Sequence, residues 1–177
     1  MNKDEQILLD RAHELAQPEA KVFDESEALS VVQFSILREN FGFETRYVAE
    51  VSRIRDFTPI ASSESYFRGV LNLHGKVIPL IDIKPFFGLP EQALSEFNRV
   101  VVIAGNNQRV GILIDALIGS TIVMRNELQS SISTLSGMRA RTLLGITPDR
   151  VTILNADKLL LEKDIFKFSK GKANHER

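Results

Sequence analysis

The residues able to do acid–base, nucleophilic or metal chemistry are few and scattered. The 177-residue chain has three histidines, His13, His74 and His175, and no cysteine. No two histidines stand at a spacing that would place both on one face, and thiolate ligands are excluded, so no metal or other cofactor is expected. No Walker loop, G-x-G-x-x-G or G-x-S-x-G occurs. Ser62, Ser63 and Ser65 precede His74. A nucleophile elbow needs flanking glycines, so a polar loop is the plainer reading. Asp82, Asp115 and Asp157 each follow an apolar run. Brought together, three carboxylates and His74 would make a small acid–base or cation site. Kept apart, each would cap the turn or helix that follows it. Arg139-Ala140-Arg141 reads as a small basic patch on a solvated loop.

The elements that would position these groups are mostly strands. Leu8, Ala12 and Leu15 recur at helical spacing between a cap at Asn2 or Asp4 and Pro18, which predicts a helix over residues 1–17. Residues 18–28 read as an acidic linker. The spacing then predicts strands over Ser30–Leu37 and Phe41–Phe43 with a turn at Glu39-Asn40. A short helical turn within Thr45–Ile54 is followed by a strand running through Arg55-Asp56-Phe57. The densest signal is Phe67–Leu89, where Val70–Leu73 and Val77–Ile83 flank His74-Gly75-Lys76 as a hairpin. Pro85 starts a short helix that Gly88 stops. Further strands are read over Arg99–Ala104, Arg109–Asp115 and Ala116–Met124. Arg125–Met138 reads as a mobile polar loop, Thr142–Thr147 and Arg150–Leu154 as a last hairpin, and Asp157–Leu161 as a short helix. Gly69–Phe86 and Gly145–Leu161 share one order of glycine, strand, turn, strand, aspartate and short helix. That echo predicts two similar small β-barrels.

Composition narrows the function classes. A chain that is 44% hydrophobic and 25% charged is typical of a soluble globular domain. The net charge of −1 favours neither nucleic acid nor an anionic membrane, so no nucleic-acid partner is expected. The first fifteen residues lack the apolar core of a signal peptide, and no apolar run approaches the roughly 20 residues that span a bilayer. A cytoplasmic protein without direct membrane insertion is expected.

The segment RGVLNLHGKVIPLIDIKPFFGLP (68–90), with FGFETRYVAEV (41–51) upstream, resembles the CheW-type chemotaxis coupling proteins. That family carries a Gly-Val-x-Asn-Leu-Arg-Gly core and then an apolar strand with Pro that ends in Asp. Gly69, Asn72, Gly75, Pro79 and Asp82 fall in register with it. RVVVIAGNNQRVGILIDAL (99–117) and LLGITPDRVTILNADKLL (143–160) sit where the family has its second hairpin and last strand–helix. The resemblance covers residues 30–163.

It implies a mainly β fold of two intertwined five-stranded, SH3-like β-barrels with short helices. The N-terminal helix is additional, the domain runs 29–163, and 164–177 is a disordered polar tail. The implied function is a non-enzymatic adaptor coupling the cytoplasmic tips of methyl-accepting chemoreceptors to a CheA-type histidine kinase. The same chain could serve instead a non-flagellar chemosensory pathway controlling surface motility or another output. Val48, Glu50, Gly69, Asn72 and His74 match family positions tied to partner binding. Glu50 in the family faces the Arg of the hairpin turn. His74 replaces that Arg here, which implies a weaker, pH-sensitive pair.

Overall fold

The computed structural model describes residues 25–62, 64–130 and 137–166. The helix read over 1–17, most of its linker and the tail from residue 167 lie outside the described residues, as do His13, Ser63 and His175. Eleven strands run in the order β1 (Ala28–Ile36), β2 (Glu39–Glu44), β3 (Val48–Arg53), β4 (Phe57–Pro59), β5 (Phe67–Leu73), β6 (Lys76–Ile81), β7 (Arg99–Gly105), β8 (Gln108–Ile114), β9 (Ala116–Met124), β10 (Leu143–Ile146) and β11 (Thr152–Leu154). Three short helices follow late in the chain: α1 (Gly137–Thr142), α2 (Ala156–Leu161) and α3 (Lys163–Phe166). One sheet has the order β10-β11-β2-β1-β9 and the other β3-β7-β8-β6-β5-β4. The fold is thus mainly β and two-sheeted, with β4 a sixth strand beyond the five expected on that side.

The sheets are woven from both halves of the chain. Strand β3 leaves the first hairpin to pair with β7, and β9 leaves the second to pair with β1. Strand β6 lies parallel to β8 through Leu80↔Gly111 and Ile81↔Ile112, while β11 lies parallel to β2 through Ile153↔Gly42 and Leu154↔Phe43. Register shifts match as well. The β3 shift between Val48 and Glu50 mirrors the β9 irregularity opposite Gln33 and Phe34, and those before Gly69 and Gly145 mirror each other. The repeat first glimpsed at Gly69 and Gly145 therefore extends over ten strands. In that register Asp82 corresponds to Asn155, not to Asp157, because the β10–β11 hairpin is shorter than β5–β6.

Three cores follow from this weave. Phe34 stacks with both Phe41 and Phe43, and the three meet Ile81, Ile103, Ile112 and Leu154 in a core shared by both sheets. Leu71, Leu80, Val100, Val102 and Leu113 fill a second core made by the β3–β8 sheet alone. Leu29, Val31, Val123 and Ile153 fill the counterpart within the other sheet. Alternation along each strand delivers one face to the shared core and the other to the private one.

Several expectations are corrected. The first turn falls at Leu37-Arg38, with Leu37 at φ 57°, rather than at Glu39-Asn40. The strand read through Asp56 breaks, because Asp56 takes φ 48° and Phe57–Pro59 crosses to the opposite edge of the sheet. Arg125–Glu127 is a 3-10 turn, and Arg139 and Arg141 lie on α1 instead of a loop. Residues 164–166 form the end of α3, and Ile165 and Phe166 are buried in the shared core. Among the described residues, no helix is long and apolar enough to cross a membrane.

A buried charge pair ends β6. Lys84 and Asp82 are 2% and 1% exposed, and Lys84 Nζ lies 3.2 Å from Asp82 Oδ2 as a charge contact without hydrogen-bond alignment. Asp82 Oδ1 accepts the Lys84 backbone N–H at 3.0 Å, which starts the 3-10 turn Lys84–Phe87. Arg68 Nη1 stands 3.8 Å from the same Asp82 oxygen, so removing Lys84 leaves the carboxylate one longer, partly exposed counter-charge. Lys84→Met should therefore lower unfolding free energy in urea by no more than about 3–5 kcal/mol, with Asp82→Leu/Lys84→Met recovering part of the loss. Nearby, burial first and then Glu64, Asp164 and Glu162 push the Tyr66 phenol above its ordinary 10.0. The folded state thus holds that proton longer than the unfolded chain. The stability this contributes is present below about pH 10 and is lost as pH rises through the folded value. Tyr66→Phe should flatten the alkaline limb of a stability–pH curve.

Candidate functional site

The hairpin β5–β6 turns through His74 and Gly75, at φ 53° and 77°, which is the two-residue geometry matching strand twist. This turn is two residues long, so Lys76 already belongs to β6. It lifts the His74 ring into solvent, where Nε2 lies 3.1 Å from Glu50 Oε2. Their side chains are 81% and 28% exposed. Glu50 reaches the turn because the bulge at Ala49 reorients β3 just before it. A shallow cavity beside the pair is lined by Glu50, Leu73, His74, Lys76, Val102 and Arg109.

Of the five residues expected from sequence, three present surface. Glu50 and His74 touch, and Asn72 stands exposed two residues before His74 on the same hairpin. Val48 is half-buried against the shared core. Gly69 is buried at φ 143° beneath β4, where an added Cβ would run into the Thr58 carbonyl oxygen. Its requirement is the close approach of β4. Sequence reasoning missed Lys76 and Arg109, which join the cavity only because β6 and β8 are parallel neighbours. It also missed the exposed apolar side chains Leu117, Ile118 and Ile122 on the edge strand β9, whose strand pattern alone carries no sign of which face is covered.

The three aspartates are engaged separately. Asp82 holds the Lys84 turn, as expected of a cap. Asp115 Oδ2 accepts the Leu37 N–H at 2.6 Å, across the chain from the turn that follows it, and its Oδ1 accepts from Asn98 at 2.9 Å. Asp157 accepts from Asn106 at 2.9 Å, while Asn155 caps α2 through the Lys158 N–H at 3.0 Å. The cap predicted for Asp157 thus belongs to Asn155, since the chain enters α2 two residues earlier. Among the described residues no group of three or more His, Asp or Glu could hold a metal ion. Ser62 Oγ accepts the Glu64 N–H at 3.0 Å, a loop contact, and the His74 nitrogen faces Glu50. Arg141 pairs with Glu162 at 3.5 Å, and Arg139 lies over the Phe87 ring.

A two-sheet β scaffold that presents an exposed hairpin tip and an edge strand defines a protein that works by offering surfaces. The CheW-like domain model matches residues 30–164, and the chain belongs to that family of coupling proteins. It is 29% identical over 143 residues to the chemotaxis protein CheW of Helicobacter pylori, covering 80% of this chain and 87% of the relative. The crystal structure of the scaffolding protein TtCheW from Thermoanaerobacter tengcongensis superposes with a TM-score of 0.62 at 26% identity, over 71% of this chain and 88% of that one. The chemotaxis protein CheA of Treponema pallidum is 25% identical over 122 residues, which span 66% of this chain and 15% of the relative.

Gly69→Ala tests the structural role of that position. A positive φ and a backbone clash together should cost at least about 2 kcal/mol, read as a lower urea midpoint. An unchanged midpoint would mean that β4 moves away freely.

Proposed function

We propose that the chain is an adaptor without catalytic turnover, coupling the cytoplasmic tips of methyl-accepting chemoreceptors to a CheA-type histidine kinase. The observation that carries this reading is the Glu50–His74 contact at an exposed hairpin tip, made by two of the residues that match the family's partner-binding positions. The similarity of this chain to part of a CheA protein supports it, because it puts related sequence on the kinase itself. Asn72 and the exposed turn would form the polar rim of that contact, with apolar strand residues as anchors. Val48 and Gly69 would act by shaping β3 and β5. His74 at this turn also favours a second reading, in which the same adaptor serves a chemosensory pathway with another output and another kinase.

A guanidinium is always charged and can fork to a carboxylate, whereas the imidazole offers Glu50 a single ring nitrogen. Co-sedimentation with a receptor signalling tip and a CheA-type kinase tests the reading. His74→Arg should bind at least as well as the unaltered chain. Failure of the protein to enter the complex at any pH would sink the coupling reading, and a clear loss on His74→Arg would assign the turn a different role.

A further inference from the structure

Among the paired strands, only one couple of charged residues stands in direct register: Arg53 at the end of β3 lies opposite Arg99 at the start of β7. The two carry the same sign. Residues so placed have Cα atoms about 4.5–5.5 Å apart and side chains on one face, and like charges there are destabilising. The face is the one that Val51, Val101 and Ile114 turn toward the shared core, with Ile114 opposite Arg99 on β8. Arg53 is exposed and Arg99 half-buried at the margin of that core.

The fold supplies no counter-charge for this pair. Among the described residues neither guanidinium makes an ion pair or a side-chain hydrogen bond, whereas Arg46, Arg68 and Arg141 each reach a carboxylate. Asp115 lies one residue past Ile114, but its two oxygens are taken by the Leu37 N–H and the Asn98 amide. Glu50, Asp56 and Glu96 each lie three residues from one of the arginines; Glu50 is turned to His74, and neither of the others pairs with them. The backbone beneath Arg99 is fixed nonetheless. The Asn98 amide donates to the Ile114 carbonyl at 3.4 Å and to Asp115 Oδ1 at 2.9 Å, which ties the start of β7 to the end of β8. Two planar forks held side by side without an acceptor ask for a planar anion, and a carboxylate matches that geometry.

The place of the pair in the sheet says where that carboxylate comes from. Strand β3 is an edge strand of its sheet, and Glu50 of the proposed coupling contact precedes Arg53 by three residues, about 10 Å along the strand. A protein lying along this edge that reaches Glu50 and His74 also reaches Arg53. We propose that Arg53 and Arg99 form a clamp for an acidic side chain of the protein partner that lies along the β3 edge. The bound carboxylate relieves the like-charge contact that the free chain carries. That the partner is a coupling partner rests on the coupling reading, whereas the clamp's affinity for a carboxylate does not.

The first test titrates the full chain with glutarate, a small dicarboxylate, against sodium chloride at matched ionic strength. The side-chain Nε–Hε signals of Arg53 and Arg99 should move together and saturate, while that of the exposed Arg125 follows salt alone. Arg53→Gln and Arg99→Gln should each weaken glutarate binding several-fold, and Arg53→Lys should too, because an ammonium cannot fork to a carboxylate. Uniform movement of all arginines, or saturation by inorganic phosphate with glutarate inert, would overturn the proposal. The second test is co-sedimentation of Arg53→Glu/Arg99→Glu with a receptor signalling tip and a CheA-type kinase, where a several-fold loss is expected. Unchanged co-sedimentation would overturn the assignment of the clamp to that partner. If the unaltered chain itself stays out of the complex, the coupling reading fails and the glutarate titration still decides the clamp.

Discussion

The structure depends on an exchange of strands between two similar halves. Neither half can complete a sheet from its own strands, because β3 must reach β7 and β9 must reach β1. The parallel contacts β6–β8 and β11–β2 lock this exchange at the centre of each sheet. Gly42 and Gly111 sit at equivalent points in those contacts, each with a valine side chain where a Cβ would project: Val31 Cγ1 at 2.5 Å and Val100 Cγ2 at 2.8 Å. A larger residue at either point would press on that valine within the private core. The shared phenylalanine–isoleucine core then couples the two sheets, so the halves behave as one packing unit despite their separate inner cores.

This arrangement assigns the polar residues their work. Aspartates at strand ends bind backbone or amide groups of turns, and where they are buried they carry a counter-charge, as Asp82 does with Lys84. The side chains left over for recognition lie at hairpin tips and sheet edges, where a bulge or turn redirects them outward. Glu50 and His74 meet there because a bulge in β3 and a tight turn after β5 point two distant residues into one space. Beyond Leu80–Gly111 and Ile81–Ile112 the parallel strands β6 and β8 no longer pair, and a cavity lies beside this tip.

How much of this was legible in residues depends on the range of the interaction that decides it. Local signals were strong: the His74-Gly75 hairpin, the Lys84–Phe87 turn stopped by Gly88, the β7–β8 hairpin, and the motif from Gly69 to Asp82 that marks the family all read directly from the chain. So did the pairing of Glu50 with the turn residue, through the resemblance. Boundaries set by single backbone conformations did not, since nothing in Leu37 or Asp56 announces a left-handed φ. The echo at Gly69 and Gly145 was visible but misaligned at its end, because turn lengths differ between the two hairpins.

By itself the sequence determined the strand-rich class, the family, the turn chemistry and the lack of thiolate ligands, all of which rest on local pattern and residue type. The tertiary structure decided which strands are neighbours. From that alone came the burial of Lys84 with Asp82, the close approach of β4 to Gly69, the engagement of Asp115 with Leu37 and of Asp157 with Asn106, and the meeting of Lys76 with Arg109. Each of these needs two segments far apart in sequence to be brought together by parallel pairing or strand exchange, and no local pattern encodes that distance.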